Sequence, residues 1–278
     1  MQERSSNMRF AICNEIFKEW DFHRACQFAH EAGYEAVEIA PFTFAPLITD
    51  IGPKQRSEIR RAAQNAGIAI SGIHWVLAYT EGFHVNHPDP VVRLRTSDYL
   101  KAAVEFCAEI GGESLVFGSP KRRDILPGVK RSEAIMWTRD TFAESIRIAE
   151  RFGVTICMEP LAPSETNFLN TAEETLALTE PVGSKSFQIM LDVKAMCSEE
   201  RSIPEIIGAC RGRFAYFHAN DRNLKGPGFG DVDFAPIAAA LKGVGYTGTV
   251  SVEVFEFDEG PEVIARQSIE YLRKKWGC

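Results

Sequence analysis

Four polar side chains that can bind a metal ion or move a proton each follow an apolar run in the second half of the chain. The runs VTICM, FQIML, FAYF and GTVSV end on Glu159, Asp192, His218 and Glu253. If these groups met, their like charges and their burial would both raise the carboxyl pKa values. A divalent cation removes that conflict, and carboxylate oxygens with one histidine suit Mn²⁺, Mg²⁺, Co²⁺ or Zn²⁺. We expect one divalent ion here, with Mn²⁺ as the preferred species.

Each of these four residues also has a simpler interpretation. A single glutamate after a strand is often a loop residue or an ion-pair partner. Asp192 could cap the turn that follows it, and His218 could be a core histidine with a backbone partner. The metal site is favoured because the four residues occur at four successive strand ends rather than singly.

Short apolar runs alternate with longer amphipathic runs along the chain, and these elements must position the four residues. The apolar runs are typical of parallel strands that are covered on both faces. The predicted strands are residues 8–13, 35–39, 68–75, 113–118, 154–159, 187–192, 214–218 and 248–253. The predicted helices are residues 22–33, 54–67, 91–111, 132–153, 172–180, 203–210, 234–245 and 260–276.

Strand–helix pairs that repeat without a long linker predict an α/β fold, a single (β/α)8 TIM barrel. The predicted domain is residues 1–278, of which residues 1–7 form a disordered lead. A doubly wound open sheet is the alternative, but no GxGxxG motif follows the first strand. In a TIM barrel the carboxyl ends of the strands carry the reactive groups, so the four polar residues are expected to converge there.

The composition limits the class of protein and its compartment. A formal net charge of −7 argues against a nucleic-acid binder, which usually has a basic face. Seven cysteines without a CxxC pair are typical of a reducing compartment. No stretch is long and apolar enough to cross a membrane, and the start MQERSSN lacks the apolar core of a signal peptide. We therefore expect a cytoplasmic protein with neither a nucleic-acid nor a membrane partner.

The segments around the four strand ends resemble the sugar isomerase/epimerase superfamily, the xylose-isomerase-like barrels. Within it they are most similar to ketose epimerases of the D-tagatose 3-epimerase type. The segments are MEPLAPSETNFLNT, LDVKAM, FHANDRNLKGPGFGDVDF and VSVEVFEF. The resemblance implies a small-molecule sugar as partner, a metal held by the four residues, and Glu159 and Glu253 as the catalytic carboxylates. It also implies that Glu165 contacts the sugar hydroxyls.

The sequence departs from the family pattern at two positions of the sugar-binding shell. Ala195 stands where the family often has a histidine, and Leu224 where it often has an arginine. Arg222 lies close to the second position and is expected to contact the substrate. Lys194 would point the same way as Asp192 if the extended conformation continues. These departures favour a modified sugar, such as a keto-sugar, a sugar acid or an inosose, over a standard free ketose.

The first half of the chain is expected to supply the rest of the pocket. His74 and Trp75 end the third predicted strand. We expect His74 to hydrogen-bond the substrate and Trp75 to offer a sugar an apolar platform, although Trp75 could equally be a packing residue. Glu38 and Phe117 lie near other strand ends and could also line the pocket.

The implied reaction moves a proton at a carbon next to a carbonyl, through an enediolate whose charge the cation stabilises. One of Glu159 and Glu253 would abstract the proton and the other would return one to the opposite face, which is epimerisation. Return to the neighbouring carbon would be isomerisation. Loss of a β-hydroxyl would be dehydration, as in the inosose dehydratases of the same superfamily.

Two other classes of protein fit the residues less well. Endonuclease IV-like DNA repair enzymes of the superfamily need a trinuclear zinc site with additional histidines. Asp231 fits that pattern, but Asp233 and Ala195 stand where histidines are wanted. A non-catalytic sugar-binding protein would not need both Glu159 and Glu253. Members of the family often form dimers or tetramers, so a homo-oligomer is a further expectation.

Overall fold

Eight parallel strands form a closed barrel in which each strand pairs with its neighbours in sequence and the last pairs with the first. This computed structural model describes residues 8–278, so the lead expected at residues 1–7 lies outside the described part of the chain. The strands are β1 (Arg9–Cys13), β2 (Ala36–Ile39), β3 (Ala69–Ile73), β4 (Ser114–Phe117), β5 (Thr155–Met158), β6 (Phe187–Asp192), β7 (Phe214–Ala219) and β8 (Thr249–Val252). The predicted TIM barrel is confirmed.

The strands alternate with helices that cover the outside of the barrel. The helices are α1 (Phe22–Ala32), α2 (Pro53–Ala66), α3 (Pro90–Ile110), α4 (Arg131–Phe152), α5 (Ala172–Thr179), α6 (Val193–Met196), α7 (Ile203–Ala209), α8 (Phe234–Gly243) and α9 (Pro261–Trp276). Only the single-turn helix α6 was not predicted from the sequence. Within residues 8–278, none of the helices is long and apolar enough to span a membrane.

Local sequence signals explain where the helices begin and end, as α1 shows. The Asp21 carboxylate accepts hydrogen bonds from the amides of His23 and Arg24, which satisfies two of the free N–H groups at the start of the helix. Gly33 ends the helix with φ of 107°, a conformation that residues with a side chain rarely adopt. The chain then turns directly into β2.

The two faces of each strand have different packing partners. Side chains that point outward meet the helices, as where Phe117 packs edge-on against Phe142 of α4 at a centroid distance of 5.0 Å. Phe117 therefore belongs to the core, and the expectation that it could line the pocket is wrong. The barrel interior is filled by Val116, Cys157, Met190 and Tyr216, all buried. This layer closes the barrel interior. The polar strand-end side chains lie above it, at the carboxyl ends of the strands.

Close contact between β3 and β4 makes Gly72 a sensitive position. A Cβ atom on Gly72 would lie 2.1 Å from the carbonyl oxygen of Ser114. We expect Gly72→Ala to lower the free energy of unfolding by about 2 kcal/mol or more, because the backbones of two paired strands must separate. Gly208→Ala in α7 is the matched control, since its added Cβ would have no atom of residues 8–278 within 4 Å apart from its chain neighbours and the backbone of its own helix. Urea unfolding followed by circular dichroism measures both, and equal stabilities would contradict the prediction.

Candidate metal centre and active site

The four strand-end residues come together at one end of the barrel. Glu159 and Glu253 directly follow β5 and β8, Asp192 ends β6, and His218 lies near the end of β7. All four are buried, and each offers a ligand atom that lies within 4.8 Å of the ligand atoms of the others. Three carboxylates and one imidazole at this spacing can surround a single cation.

His218 is oriented with its Nε2 atom toward Glu38 and its Nδ1 atom toward Glu253. Its Nε2 atom lies 3.1 and 3.2 Å from the two carboxylate oxygens of Glu38. Its Nδ1 atom lies 3.1 Å from Oε2 of Glu253 but makes no well-angled hydrogen bond, although it is buried. A carboxylate that fixes one nitrogen and leaves the other free is the usual arrangement behind a histidine metal ligand. The donor set therefore fits a divalent cation.

The pKa values of the cluster residues show the repulsion between buried carboxylates that was predicted from the sequence. Burial, together with Glu253 and Asp192, raises the pKa of Glu159 to about 8. Burial also raises the pKa of Asp192. Although burial opposes it, the neighbouring carboxylates of Glu253 and Glu38 raise the pKa of His218 well above its usual value. In the ion-free protein a proton on His218 therefore supplies positive charge that a cation could supply instead.

Glu38 lies beneath the cluster and supports His218 rather than lining the cavity. It is fully buried, and its carboxylate also accepts a hydrogen bond from the Tyr216 hydroxyl at 3.0 Å. Burial alone would raise the pKa of Glu38, but His218 and His74 outweigh it and lower that pKa to about 2. Glu38 is thus a fixed negative charge behind the imidazole. The expectation that it lines the pocket is wrong, because the carboxylate points down into the barrel.

His74 contacts carboxylates as well as the cavity. Its Nε2 atom lies 3.1 Å from Oε1 of Glu15 and its Nδ1 atom 3.6 Å from Oε1 of Glu38. Burial lowers the pKa of His74, but these two carboxylates outweigh it and raise the pKa to about 9. Glu15 was not predicted from the sequence; it lies two residues after the end of β1 and could have been found by inspecting the first strand end.

A cavity of about 300 Å³ opens above the cluster. Both Glu159 and Glu253 line it, together with His74 and Trp75. The indole N–H of Trp75 donates to Oε1 of Glu253 at 3.2 Å, and its ring lies 6.0 Å from that of Phe255. Trp75 adopts φ of 54°, a strained value for a bulky residue and one that is most often found at functional sites. Trp75 thus combines an apolar face with a donor that holds one of the two glutamates.

Glu165 and Lys194 also line the cavity and form an ion pair at 2.9 Å. The chain after Asp192 is helical, so the extended conformation on which the expectation for Lys194 depended is absent, yet Lys194 lines the cavity. The turn forms because Oδ1 of Asp192 accepts the amide of Ala195 at 2.7 Å and so caps α6. Burial opposes the charge on Lys194, but Asp192 and Glu165 raise its pKa, so Lys194 stays protonated.

Arg222 does not reach the cavity, contrary to the expectation from its position near Leu224. Arg222 is exposed, and the cavity lining does not include it. The chain turns sharply between Asp221 and Leu224, whose amide donates to the Asp221 carbonyl at 3.0 Å and whose φ is 71°. This turn leaves Arg222 on the outer surface of the loop.

Asn220 connects three elements of the site and was missed by the sequence analysis. Its side-chain N–H groups donate to Oδ2 of Asp192 at 2.5 Å and reach Oε2 of Glu253 at 3.4 Å. Its side-chain oxygen accepts the amide of Lys194 at 2.8 Å. Asn220 lies two residues after His218, so the alternation of a strand places both on the same side. That spacing is the signal that could have revealed it.

The loop after β4 holds a fully buried arginine directly behind Glu159. The guanidinium of Arg123 donates to the carbonyls of Glu159 at 2.6 Å and Leu169 at 3.1 Å. A Cβ on Gly118 would lie 2.2 Å from Oε2 of Glu159, so glycine leaves room for that carboxylate. Arg123 was not singled out from the sequence, because a buried arginine inside the basic run PKRRD has no local sequence signal.

The chain belongs to the xylose isomerase-like TIM barrel family, whose sequence model matches residues 26–275. It is similar to D-psicose 3-epimerase of Ruminiclostridium cellulolyticum, with 27% identity over 244 residues, 86% of this chain and 80% of the relative. It is also similar to L-ribulose 3-epimerase of Mesorhizobium japonicum, with 27% identity over 251 residues, 89% of this chain and 80% of the relative. These findings confirm the family resemblance and the expectation of a sugar epimerase or isomerase.

The fold is also similar to that of a solved D-psicose 3-epimerase structure. A crystal structure of D-psicose 3-epimerase in the presence of D-fructose superposes with a TM-score of 0.84 at 20% sequence identity. The match covers 98% of this chain and 100% of that chain. At this level of identity the match shows that the two proteins share the TIM barrel.

The buried charge on His74 should be visible in the pH dependence of stability of the metal-free protein. With a native pKa of about 9 and an unfolded pKa of about 6.5, protonated His74 stabilises the fold fully below pH 6.5. This contribution falls as the pH rises from about 6.5 to 9, because the unfolded chain loses its proton first. We expect the stability difference between wild type and His74→Gln in urea unfolding to be larger at about pH 6 than at about pH 9.5. A difference that grows with pH would contradict this assignment.

Proposed function

We propose that this protein is a metal-dependent epimerase that inverts a carbon next to the carbonyl of a ketose or keto-sugar. The observation that carries the proposal is the convergence of Glu159 and Glu253 on one cavity, within a cluster that also contains Asp192 and His218. Two carboxylates that face the same space can act as a base and an acid on one carbon. The curated relatives, which are 3-epimerases of D-psicose and L-ribulose, support the same chemistry.

We propose Glu159, Asp192, His218 and Glu253 as the ligands of one divalent cation, with Mn²⁺ as the preferred ion. Oxygen ligands with one imidazole suit Mn²⁺, Mg²⁺, Co²⁺ or Zn²⁺, and no thiolate is among them. When bound, the ion supplies a positive charge that stabilises the negative charge developing on the substrate carbonyl oxygen. The buried Nδ1 atom of His218, which faces Oε2 of Glu253 at 3.1 Å without a well-angled hydrogen bond, supports this assignment.

The two glutamates differ in how their charge is stabilised. Glu253 receives the Trp75 N–H at 3.2 Å, and His218 holds its pKa below the usual range although burial opposes ionisation. Glu159 has no such donor among residues 8–278, and its pKa is raised. They follow strands that are not adjacent, so they approach a sugar from different sides. One takes the proton from the substrate carbon, and the other returns a proton to the opposite face.

The side chains around the glutamates would hold the sugar. Glu165 can accept hydrogen bonds from hydroxyl groups, and the paired Lys194 ammonium can donate to them. The half-buried Trp75 ring lines the cavity and offers an apolar surface of the kind on which sugar C–H groups pack. His74 supplies a buried positive charge at the floor of the cavity when it is protonated. We propose all four as substrate-contacting residues.

Solvent deuterium tests the proposed reaction. We expect the Mn²⁺-loaded protein in D₂O to incorporate carbon-bound deuterium next to the carbonyl of at least one member of a panel of ketoses, 3-keto-sugars and inososes, measured by NMR. Glu159→Gln and Glu253→Gln should each slow the exchange by about 100-fold or more, because each removes a general acid or base.

Glu113→Gln is the matched control for this experiment. Glu113 precedes β4 at the opposite end of the barrel and is 62% exposed in its side chain, so its variant should exchange at the wild-type rate. Inversion at the labelled carbon identifies an epimerase, whereas loss of water identifies a dehydratase. Exchange that survives both glutamate substitutions would contradict the proposal.

The support that Glu38 gives to His218 should appear in the metal affinity. Glu38→Gln keeps the size of the side chain but removes the charge that orients the imidazole. We expect Mn²⁺ to bind about 10- to 100-fold more weakly, as measured by calorimetric titration of the chelator-treated protein. Glu113→Gln again serves as the control, and urea unfolding of the metal-free variants separates lost affinity from lost fold. Unchanged Mn²⁺ affinity in Glu38→Gln would contradict the role of Glu38.

A further inference from the structure

Two basic side chains on one wall of the cavity have no role in the chemistry described above. Lys121 and Arg122 follow β4 in a single turn, and both line the cavity. Within residues 8–278, no carboxylate lies within ion-pair distance of either side chain, whereas Lys194 in the same cavity is paired with Glu165 at 2.9 Å. The wall formed by Lys121 and Arg122, called the positive wall below, therefore places two basic residues beside the space that a ligand would occupy.

The loop that carries this positive wall is fixed from several sides. The amide of Arg122 donates to the Ser119 carbonyl at 3.0 Å, and its own carbonyl accepts the amide of Val85 at 2.9 Å. Its guanidinium donates to the carbonyl of Thr80. Interactions of this kind limit the motion of the backbone, so less ordering is needed when a ligand binds.

Arg123, the next residue, ties the same loop to the catalytic end of the barrel. Its guanidinium binds the carbonyl of Glu159 at 2.6 Å, and the side chain of Asn86 donates to its carbonyl at 2.7 Å. At the start of the loop, Gly118 lies against the carboxylate of Glu159. The positive wall is thus built directly beside the proposed acid–base residue and is held at a fixed position relative to it.

Lys121 and Arg122 are not needed to neutralise the pair formed by Glu165 and Lys194. Within residues 8–278 neither of the two has a carboxylate at ion-pair distance, and the uncharged hydroxyl groups of a simple ketose would leave both without a partner. Positive groups in a cleft attract anionic ligands and fix their orientation.

We propose that the substrate carries an anionic substituent, a carboxylate or a phosphate, which Lys121 and Arg122 bind. This inference rests on the proposed sugar epimerase function and names the class of sugar that the site takes. The reacting carbonyl lies at the Glu159 and Glu253 end of the cavity, and the anionic group lies against the β4 loop.

Three probes that share one carbon skeleton test the inference: D-fructose, D-fructuronate and D-fructose 6-phosphate. Calorimetry on the Mn²⁺-loaded protein measures their affinities, and deuterium exchange in D₂O measures their reaction. We expect at least one anionic probe to bind about tenfold or more tightly than D-fructose, the effect of one or two favourable charge pairs. The preferred probe distinguishes a carboxylate site from a phosphate site.

Matched double variants separate the local effect from a change in net charge. Lys121→Gln combined with Arg122→Gln should abolish the preference for the anionic probe. Lys54→Gln combined with Arg60→Gln removes the same charge from the exposed face of α2 and should keep the preference. Unfolding midpoints of both double variants show whether the fold is retained.

The outcomes distinguish the inference from the proposed function. Equal affinity for D-fructose and the anionic probes, absence of binding by both anionic probes, or a preference that survives the Lys121 and Arg122 substitutions would overturn the anionic-substituent site. Exchange of deuterium into D-fructose together with any of these results would leave the epimerase function standing. A preference that the double variant abolishes, without exchange into any probe, would support the anion site and count against the epimerase function.

Discussion

The burial of three carboxylates beside one imidazole is the constraint on which the rest of the site depends. Charged groups removed from water must be paired or hydrogen-bonded. In this barrel, Asp192 and Glu253 each have their own hydrogen-bond donors. Asp192 receives the Ala195 amide and the Asn220 side chain. Glu253 receives the Trp75 indole. Each of these donors lies within a few residues of a strand end, so the carboxylates and their partners are positioned by the same barrel.

Glu159 is the exception, and its environment sets it apart chemically. The backbone carbonyl of Glu159 is held by Arg123, but within residues 8–278 no hydrogen-bond donor is directed at its carboxylate. Burial and like charges therefore raise its pKa to about 8. A carboxylate that holds a proton near neutral pH is suited to both the release and the uptake of a proton. The asymmetry with Glu253 follows from the missing donor and from the glycine at position 118, which brings no side chain to the Glu159 carboxylate.

The sequence predicted the barrel and the convergence of the four strand-end residues because both depend on local patterns. Apolar runs show where strands lie, and a polar residue at the end of each run is visible without any knowledge of the neighbouring strands. The contacts of His74 were not predictable in this way, because Glu15 reaches it from the turn after β1 and Glu38 from β2. Arg222 was assigned from spacing within a loop, and the turn that directs it outward depends on one hydrogen bond between Leu224 and Asp221. The direction in which a loop side chain points therefore has to be read from the structure.

The proposed anion site would move substrate recognition from the loops after β6 and β7 to the loop after β4. Ala195 and Leu224 stand where the family often has polar groups after β6 and β7, and the amide of Ala195 instead caps the short helix behind Asp192. The β4 loop brings Lys121 and Arg122 to the lining of the cavity. A rigid positive wall next to a cluster of carboxylates would weaken that cluster's hold on a cation unless an anion occupied the space between them. The substrate itself would supply that anion, so its binding and the charge balance of the metal centre are linked.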